Sequence, residues 1–228
     1  MRIIFIIICT LSFFSFAIAK KNLNTITTIN EYGYFIETYY LHPEPKLINS
    51  AINFIGSSDN TFANNMKAGI LMSFSCLFSI YDQEHKDKWF QTIKTIKDPK
   101  KSLLTKAINT SPDELLKEVP LSAKKNDMNW ACFYITGDNK YIGNIIHTLK
   151  HLDNRKNINL YLTAASAKWS LSSNARYHPK VKAEIEFFQK NNKSSIQTVA
   201  NDILSQSPQQ IREETISVIK DQKSNGIW

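Results

Sequence analysis

Apolar residues recur three and four positions apart along most of this chain, which is the spacing of helices with one buried face. The longest such run covers 59–81, where Phe62, Ile70 and Phe74 follow the spacing. Asp59 has the short acceptor side chain that caps a helix start. The pattern therefore predicts a long, strongly buried helix over this stretch.

The stretch 126–188 contains two successive pairs of helical patterns, and we expect it to be the centre of the fold. The first pair is interrupted at Gly137, which suits a left-handed helix end, and resumes at Asp138, which suits a helix cap. The second pair is separated by the polar turn 172–179. Each pair is predicted to fold back on itself as an antiparallel hairpin.

Two Ser-Pro sequences mark further helix starts. Ser111 is followed three residues later by Glu114, and Ser207 is followed in the same way by Gln210. In this arrangement the serine hydroxyl accepts a bond from the third backbone N–H of the helix, and the longer side chain returns a bond to the serine backbone. Both sequences are therefore interpreted as structural, and neither as catalytic.

The segments 75–96 and 131–152 echo one another. Each holds a cysteine, then aromatic residues, a polar acidic turn and an isoleucine-rich helix, which suggests repetition. The chain also has only 6 Gly among 228 residues, which disfavours architectures built on tight hairpin turns. The sequence predicts a single all-α domain, 20–228, of stacked antiparallel helical hairpins that form a short curved array.

Residues 1–19 have the three parts of a secretory signal peptide: a basic start at Arg2, an apolar run, and Ala17-Ile18-Ala19 at the cleavage point. The alternative is a single membrane anchor, but the apolar run is shorter than the roughly 20 residues that a spanning helix needs. Charged or amide residues interrupt every later apolar segment, so no integral membrane segment is expected in the mature chain. We predict a periplasmic or secreted protein.

The formal net charge is +8, and the lysines are spread along the chain among acidic residues. A nucleic-acid-binding protein usually concentrates such charge in one stripe that also carries aromatic residues. We therefore expect a solvated lysine-rich surface and no nucleic-acid partner. Attraction to an anionic membrane face stays open as an alternative.

Two cysteines, Cys76 and Cys132, remain after removal of the signal peptide. In an oxidising compartment they are a candidate disulfide. The alternative is that each serves as a small buried hydrophobic residue, since both lie in apolar helical runs. These surroundings disfavour a catalytic nucleophile, which needs a partly exposed site and a positioned histidine.

Familiar catalytic and ligand-binding motifs are absent from the sequence: it has no Gly-x-Ser-x-Gly turn, Gly-rich phosphate loop, Cys-x-x-Cys pair or calcium loop. His147 and His151 are four positions apart on one predicted helix, but no third ligand lies nearby in sequence. We therefore predict no catalytic residue, no metal and no cofactor.

The most unusual polar cluster lies in the turn 172–179. Asn174, Arg176 and His178 are the candidate binding residues, predicted to line a groove for an acidic or peptide ligand. The alternative is structural: Asn174 bonds free backbone groups at the turn, Arg176 pairs with a carboxylate, and His178 begins a helix.

The sequence that leads into this turn resembles a known family. The signature is an aromatic helix with Trp130 and Phe133, a Thr-Gly-Asp turn at 136–138, and a Trp-Ser-Leu-x-Ser-Asn-Ala…His-Pro ending at 169–179. It is similar to that of a family of exported bacterial proteins of unknown function, over roughly residues 34–188. The resemblance implies an all-helical, tetratricopeptide-like fold, in shape rather than by the 34-residue signature, and implies no activity or ligand.

Three hypotheses of function follow. The leading one is an exported, non-enzymatic module that binds or scaffolds a protein or peptide partner, since stacked helical hairpins offer a concave face. One alternative is an envelope hydrolase whose site assembles only in three dimensions. The other is a secreted host-directed factor that is drawn to anionic surfaces. The sequence identifies neither the partner nor the oligomeric state.

Overall fold

The computed structural model describes residues 23–59, 66–191 and 195–228. The predicted signal peptide, 1–19, lies outside these residues, as does Phe62 of the predicted long helix. The described residues form twelve α-helices and no strand, so the predicted all-α class is confirmed. The helices are α1 (Ile29–Thr38), α2 (Ile48–Ser57), α3 (Lys67–Ser79), α4 (Gln83–Lys94), α5 (Lys100–Asn109), α6 (Pro112–Lys117), α7 (Ala123–Thr136), α8 (Asn139–Ile146), α9 (Ile158–Asn174), α10 (Pro179–Asn191), α11 (Ser195–Ser205) and α12 (Pro208–Ser224), with short 3₁₀ helices at Pro45–Leu47 and His147–His151.

Local sequence signals define several of these helix ends. The two predicted Ser-Pro starts are confirmed, because Ser111 and Ser207 each form a complete capping box at the beginning of α6 and α12. Gly137 ends α7 in the left-handed conformation, with φ of 63°, and the Asp138 side chain caps α8 as predicted. A third capping box, formed by Thr28 and Glu31, begins α1.

The predicted long helix is α3, and it is buried on almost every side. Every residue from Met72 to Phe78 is buried, as is Ile70. A helix that is enclosed in this way must be surrounded by other helices. α3 packs most extensively against α7, and next against α5. Asp59 is separated from α3 by residues outside the described ranges, so its capping role stays a prediction.

Helix α7 packs against helices from several parts of the chain. Besides α3, it packs against α1, α8 and α9. Its buried residues include Trp130, Cys132 and Phe133, which face these neighbours. Most of the buried apolar side chains between Leu23 and Ile203 belong to one core cluster. Helices α1, α8 and α9, which lie near the candidate site described below, therefore each contact α7.

A disulfide joins the two central helices. Cys76 in α3 and Cys132 in α7 are fully buried, and their Cα atoms are 5.5 Å apart. The two cysteines occupy corresponding positions in the echoing segments. Each is followed six residues later by an aspartate, Asp82 or Asp138, that caps the next helix. The bond links helices that also share the most extensive packing in the protein.

The helix after the polar turn takes a different path from the predicted hairpin. α10 packs chiefly against α11 and α8 and has little contact with α9. Its buried residues are Val181 and Ile185. The turn is bonded through Asn174 and His178 to α7 and to the end of α1, as described below, and this carries the chain across to α8.

A charged group and an indole hold the C-terminal part against α9. Lys168 is buried, and its ammonium group lies 2.9 Å from a carboxylate oxygen of Asp202 and 3.2 Å from one of Glu214. These carboxylates belong to α11 and α12, so one side chain connects three helices. The indole N–H of Trp228 donates to the carbonyl oxygen of Arg155, which precedes α9, at 2.7 Å.

We expect reduction of the disulfide to lower the free energy of unfolding by about 4 kcal/mol. The bond closes a loop of 56 residues and removes conformations from the unfolded chain. Urea titrations with and without reductant measure the change. The double variant Cys76→Ser/Cys132→Ser is the control, since reductant should leave it unaffected. Two free thiols in the unfolded, unreduced protein would contradict the bond.

We expect Lys168→Ala to destabilise the protein by about 2 kcal/mol, because it removes a buried cation and leaves the partly buried carboxylate of Asp202 without its partner. Urea titration measures this change. Lys182→Ala is the matched control, since Lys182 is exposed and lies 3.9 Å from Glu186 on the same helix. It should change stability by less than about 0.5 kcal/mol. Equal losses in both variants would show that the buried position of Lys168 has no special role.

Candidate functional site

The turn after α9 separates the three predicted binding residues into inner and outer positions. His178 is buried, Asn174 is partly buried, and Arg176 is exposed. The inner two bond to other helices, and Arg176 lies on the outer side together with Tyr177, which is 37% exposed. The structure thus brings Asn174 and His178 together with residues of α1 and α7, while Arg176 lies apart from them.

Asn174 connects α9 with α7. Its side-chain amide donates to the carbonyl oxygen of Ser170 at 2.9 Å, one turn earlier in α9. Its side-chain oxygen accepts the hydroxyl proton of Tyr134 at 2.6 Å. Next to this bond, the indole N–H of Trp130 donates to the hydroxyl oxygen of Ser170 at 3.0 Å. Spacing of four residues on each helix brings these two pairs face to face.

His178 connects the turn with the end of α1. Its Nδ1 atom shares a hydrogen bond of 2.9 Å with the hydroxyl group of Tyr40. The rings of Tyr40, Phe133 and Tyr134 surround the imidazole, with centroids 5.3 to 5.8 Å away. Burial in this aromatic setting lowers the pKa of His178 to about 4. The imidazole is therefore neutral at pH 7.

We call Tyr40, Trp130, Phe133, Tyr134, Asn174 and His178 the tyrosine cluster. Its two phenols retain their protons near neutral pH, because burial raises the pKa of Tyr40 to about 12 and that of Tyr134 well above its usual value. The backbone N–H of Tyr40 also donates to the carbonyl oxygen of Tyr134 at 3.0 Å. The cluster thus holds the end of α1, the middle of α7 and the turn after α9 in fixed positions.

The end of α7 packs tightly against this cluster. A side chain at Gly137 would place its Cβ atom 2.8 Å from Cδ2 of the Tyr40 ring and 3.1 Å from Nζ of Lys180. Lys180 donates to the carbonyl oxygen of Gly137 at 2.9 Å. Gly137 is therefore required for two reasons, its positive φ and the approach of Tyr40.

A carboxyl group that the sequence analysis did not single out lies beside the cluster. Glu37 is partly buried, and its Oε1 atom is fully buried with no hydrogen-bond donor among the described residues. Burial raises the pKa of this carboxyl group to about 8. Its charge in turn helps to raise the pKa of Tyr134, so the two groups are close neighbours. In the sequence, Glu37 is indistinguishable from a surface residue of an amphipathic helix.

His147 and His151, the two histidines of the second 3₁₀ helix, are not part of the tyrosine cluster. The ring of His147 packs edge-on against Phe188, with centroids 5.4 Å apart. Across the described ranges, no group of three or more His, Cys, Asp and Glu side chains is placed to hold a metal ion.

No helix in the described part of the chain is both long and apolar enough to cross a membrane.

Comparisons with protein-family models, with curated proteins and with solved structures find no match to this chain. The resemblance to exported tetratricopeptide-like proteins therefore stays a prediction. The geometry of the site combines neutral hydrogen-bonding groups, aromatic rings and the buried Oε1 atom of Glu37, which has no donor in the described part of the chain.

We expect the acid sensitivity of the protein to depend on His178. Its pKa is lower in the folded state than in the unfolded chain, so the unfolded chain binds more protons between about pH 4 and 6.5. The free energy of unfolding should therefore fall as pH decreases through this window. The loss between pH 7 and pH 5 should be about 2 kcal/mol larger in wild type than in His178→Asn.

Urea titrations at the two pH values measure this difference. His42→Asn is the control, since His42 lies outside the cluster and should keep the wild-type pH dependence. The same pH dependence in His178→Asn and wild type would contradict a neutral, buried imidazole.

Proposed function

We propose that this protein is an exported, non-enzymatic module that binds a protein or peptide partner at the turn after α9. One observation carries the proposal: the turn is fixed from inside by Asn174 and His178, while Arg176 and Tyr177 point outward. Binding to a surface that is already ordered avoids much of the entropy cost of association. Arg and Tyr are also residue types that dominate the energy of protein interfaces.

The outer side of the turn is itself held in place. The guanidinium group of Arg176 donates to the carbonyl oxygen of Gln206, in the loop before α12, at 3.2 Å. The hydroxyl group of Ser172 donates to the same oxygen at 3.2 Å. The turn and the α11–α12 loop therefore form one continuous surface, in which Arg176 keeps further N–H groups for a partner.

Export is supported by two features of the chain. Residues 1–19 have the pattern of a cleavable signal peptide, and the pairing of Cys76 with Cys132 suits an oxidising compartment. A periplasmic or secreted location follows from this proposal. A partner in that compartment would bind the folded protein at the turn after α9.

One observation favours the hydrolase alternative. A general acid or base works best when its pKa lies near the working pH, and Glu37 has such a value. Hydrolysis would also need a nucleophile or a positioned water and donors for the developing negative charge. The hydroxyl groups of Tyr40 and Tyr134 are instead engaged with His178 and Asn174. Binding is therefore the function that the geometry supports better.

We expect a photo-crosslinking amino acid at Tyr177 to form a discrete adduct with a partner protein in cells that produce this protein. Leu121 is the matched control position, since it is 38% exposed against 37% for Tyr177. The adduct is measured by its mass on a denaturing gel and identified by mass spectrometry. Adducts of the same pattern from both positions, or none from Tyr177, would contradict the proposal.

Arg176→Ala should reduce the yield of the adduct at least fivefold, while the loss of its exposed bond to Gln206 should cost no more than about 1 kcal/mol of stability. Arg212→Ala is the control for loss of an exposed arginine, since Arg212 is an exposed residue of α12. Purified protein is also tested for sedimentation with anionic vesicles. Vesicle binding that salt abolishes, without a protein adduct, would favour the host-directed alternative.

A further inference from the structure

Helix α12 is long but contributes little to the core. Of its seventeen residues only Ile211 is buried, whereas α3 and α7 each bury eight residues. Ile211 is fully buried, yet it does not belong to the core cluster. α12 packs chiefly against α9, so this contact largely holds it in place. A helix with so few buried apolar residues separates from the rest of a protein at a lower free energy than global unfolding requires.

The contact between α12 and α9 is largely polar. Near its middle, a carboxylate oxygen of Glu214 lies 3.2 Å from the ammonium group of the buried Lys168. Just before α12, the carbonyl oxygen of Gln206 accepts the hydroxyl proton of Ser172 at 3.2 Å. After α12, the ring of Trp228 packs against an aromatic ring of α9, with centroids 5.0 Å apart. Contacts between parts of a chain that move relative to one another are more polar than permanent ones, and this contact has that character.

Three buried polar atoms at or beside this contact have no hydrogen-bond partner among the described residues. They are Nη1 of Arg155, which precedes α9, Oε1 of Gln206, which precedes α12, and Oε1 of Gln222 in α12. A buried polar atom without a partner raises the free energy of the closed arrangement. Water satisfies these atoms when α12 moves away, so they favour its opening.

The face of α9 that α12 covers leads directly to the turn proposed above as the binding surface. Its buried residues include Tyr161, Ala165, Lys168 and Ser172, whose spacing of three and four places them on one side of the helix. Three of these four contact residues of the segment 206–228. Arg176 in the turn follows Ser172 by four residues. A partner held at the turn therefore lies next to a face that becomes accessible when α12 opens.

We propose that α12 undocks from α9 as a unit, and that the uncovered face binds a helix of the partner that carries a carboxylate. The contacts of α12 define what fits this face. Ile211 is the buried apolar residue, and Glu214, three positions later, reaches Lys168. A partner helix with an apolar residue three positions before a Glu makes the same contacts. The inference rests on the proposed function, for which it names the structure of the partner and its regulation by α12.

Hydrogen exchange of the full chain, followed by mass spectrometry, tests whether α12 opens as a unit. An isolated helix of this length is only marginally stable in water, so its amide protons exchange when it undocks. We expect the amides of α12 to exchange about a hundredfold faster than those of α7, after correction for their intrinsic rates. Equal protection of α12 and α7 would show that α12 stays closed until the whole protein unfolds, and would overturn the proposal.

Two pairs of variants locate the contacts that hold α12 closed. Ile211→Ala should speed the exchange of α12 about thirtyfold. Its control is Ile216→Ala, since Ile216 is 41% exposed on the same helix. Glu214→Gln should speed the exchange about threefold. Its control is Glu213→Gln, since Glu213 bonds to Gln209 within α12. Equal exchange in each variant and its control would contradict these contacts.

A fluorescent peptide with the sequence of residues 207–228 provides the helix for the binding test. It competes with α12 of the full chain, so its apparent affinity depends on the fraction of chains that are open. We expect it to bind Ile211→Ala about thirtyfold more tightly than wild type, because the variant opens more often. A peptide that carries Glu214→Gln should bind about fivefold more weakly, and one that carries Glu213→Gln should bind as the unsubstituted peptide does. Equal binding of all three peptides, or equal binding to the two proteins, would rule out the proposed surface.

Three further outcomes separate this inference from the proposed function and from self-association. Sedimentation of Ile211→Ala as a dimer that exchanges α12 would assign the uncovered face to a second copy and overturn the partner assignment. An adduct at Tyr177 with the same yield in wild type and Ile211→Ala would remove this inference alone and leave the proposed function in place. Peptide binding without any adduct at Tyr177 would support the opening of α12 and remove the proposed function.

Discussion

The contact between α3 and α7 is the constraint on which the rest of this structure depends. α3 is apolar around most of its circumference, so it is stable only when other helices enclose it. α7 provides the largest part of that enclosure and at the same time contacts α1, α8 and α9. The bond between Cys76 and Cys132 fixes this pair covalently. Helices α1, α8 and α9 are then positioned by their contacts with α7, whereas α10 packs chiefly against α11 and α8.

The tyrosine cluster adds hydrogen bonds to this apolar packing. Tyr134 is part of α7, yet its backbone and its hydroxyl group bond to two different segments, the end of α1 and the end of α9. The cluster therefore joins three segments of the chain, and Arg176 and Tyr177 lie outside it on the exposed side of the turn. Glu37 lies beside the cluster, and its buried Oε1 atom has no hydrogen-bond donor among the described residues.

Much of the fold could be predicted from the sequence because helix ends are local events. Ser111, Ser207, Gly137 and Asp138 act on backbone groups within a few residues, and the apolar spacing defines the buried faces directly. The site could not be predicted in the same way. The bond between Tyr40 and His178 joins residues 138 positions apart, and no local pattern records such a pairing. The residue types of the polar turn predict a binding site, but contacts with α7 and with the end of α1 determine which of these residues are buried.

The close approach at Gly137 has a consequence for how the site is built. A Cβ atom at this residue would lie 2.8 Å from Cδ2 of the Tyr40 ring, closer than two non-bonded carbon atoms approach. A methyl group there would displace the Tyr40 ring, and with it the hydroxyl group that His178 requires. The end of α1 can therefore lie this close to the end of α7 because residue 137 is glycine. The lack of a side chain at Gly137 therefore allows Tyr40, at the end of α1, to reach His178 in the turn after α9.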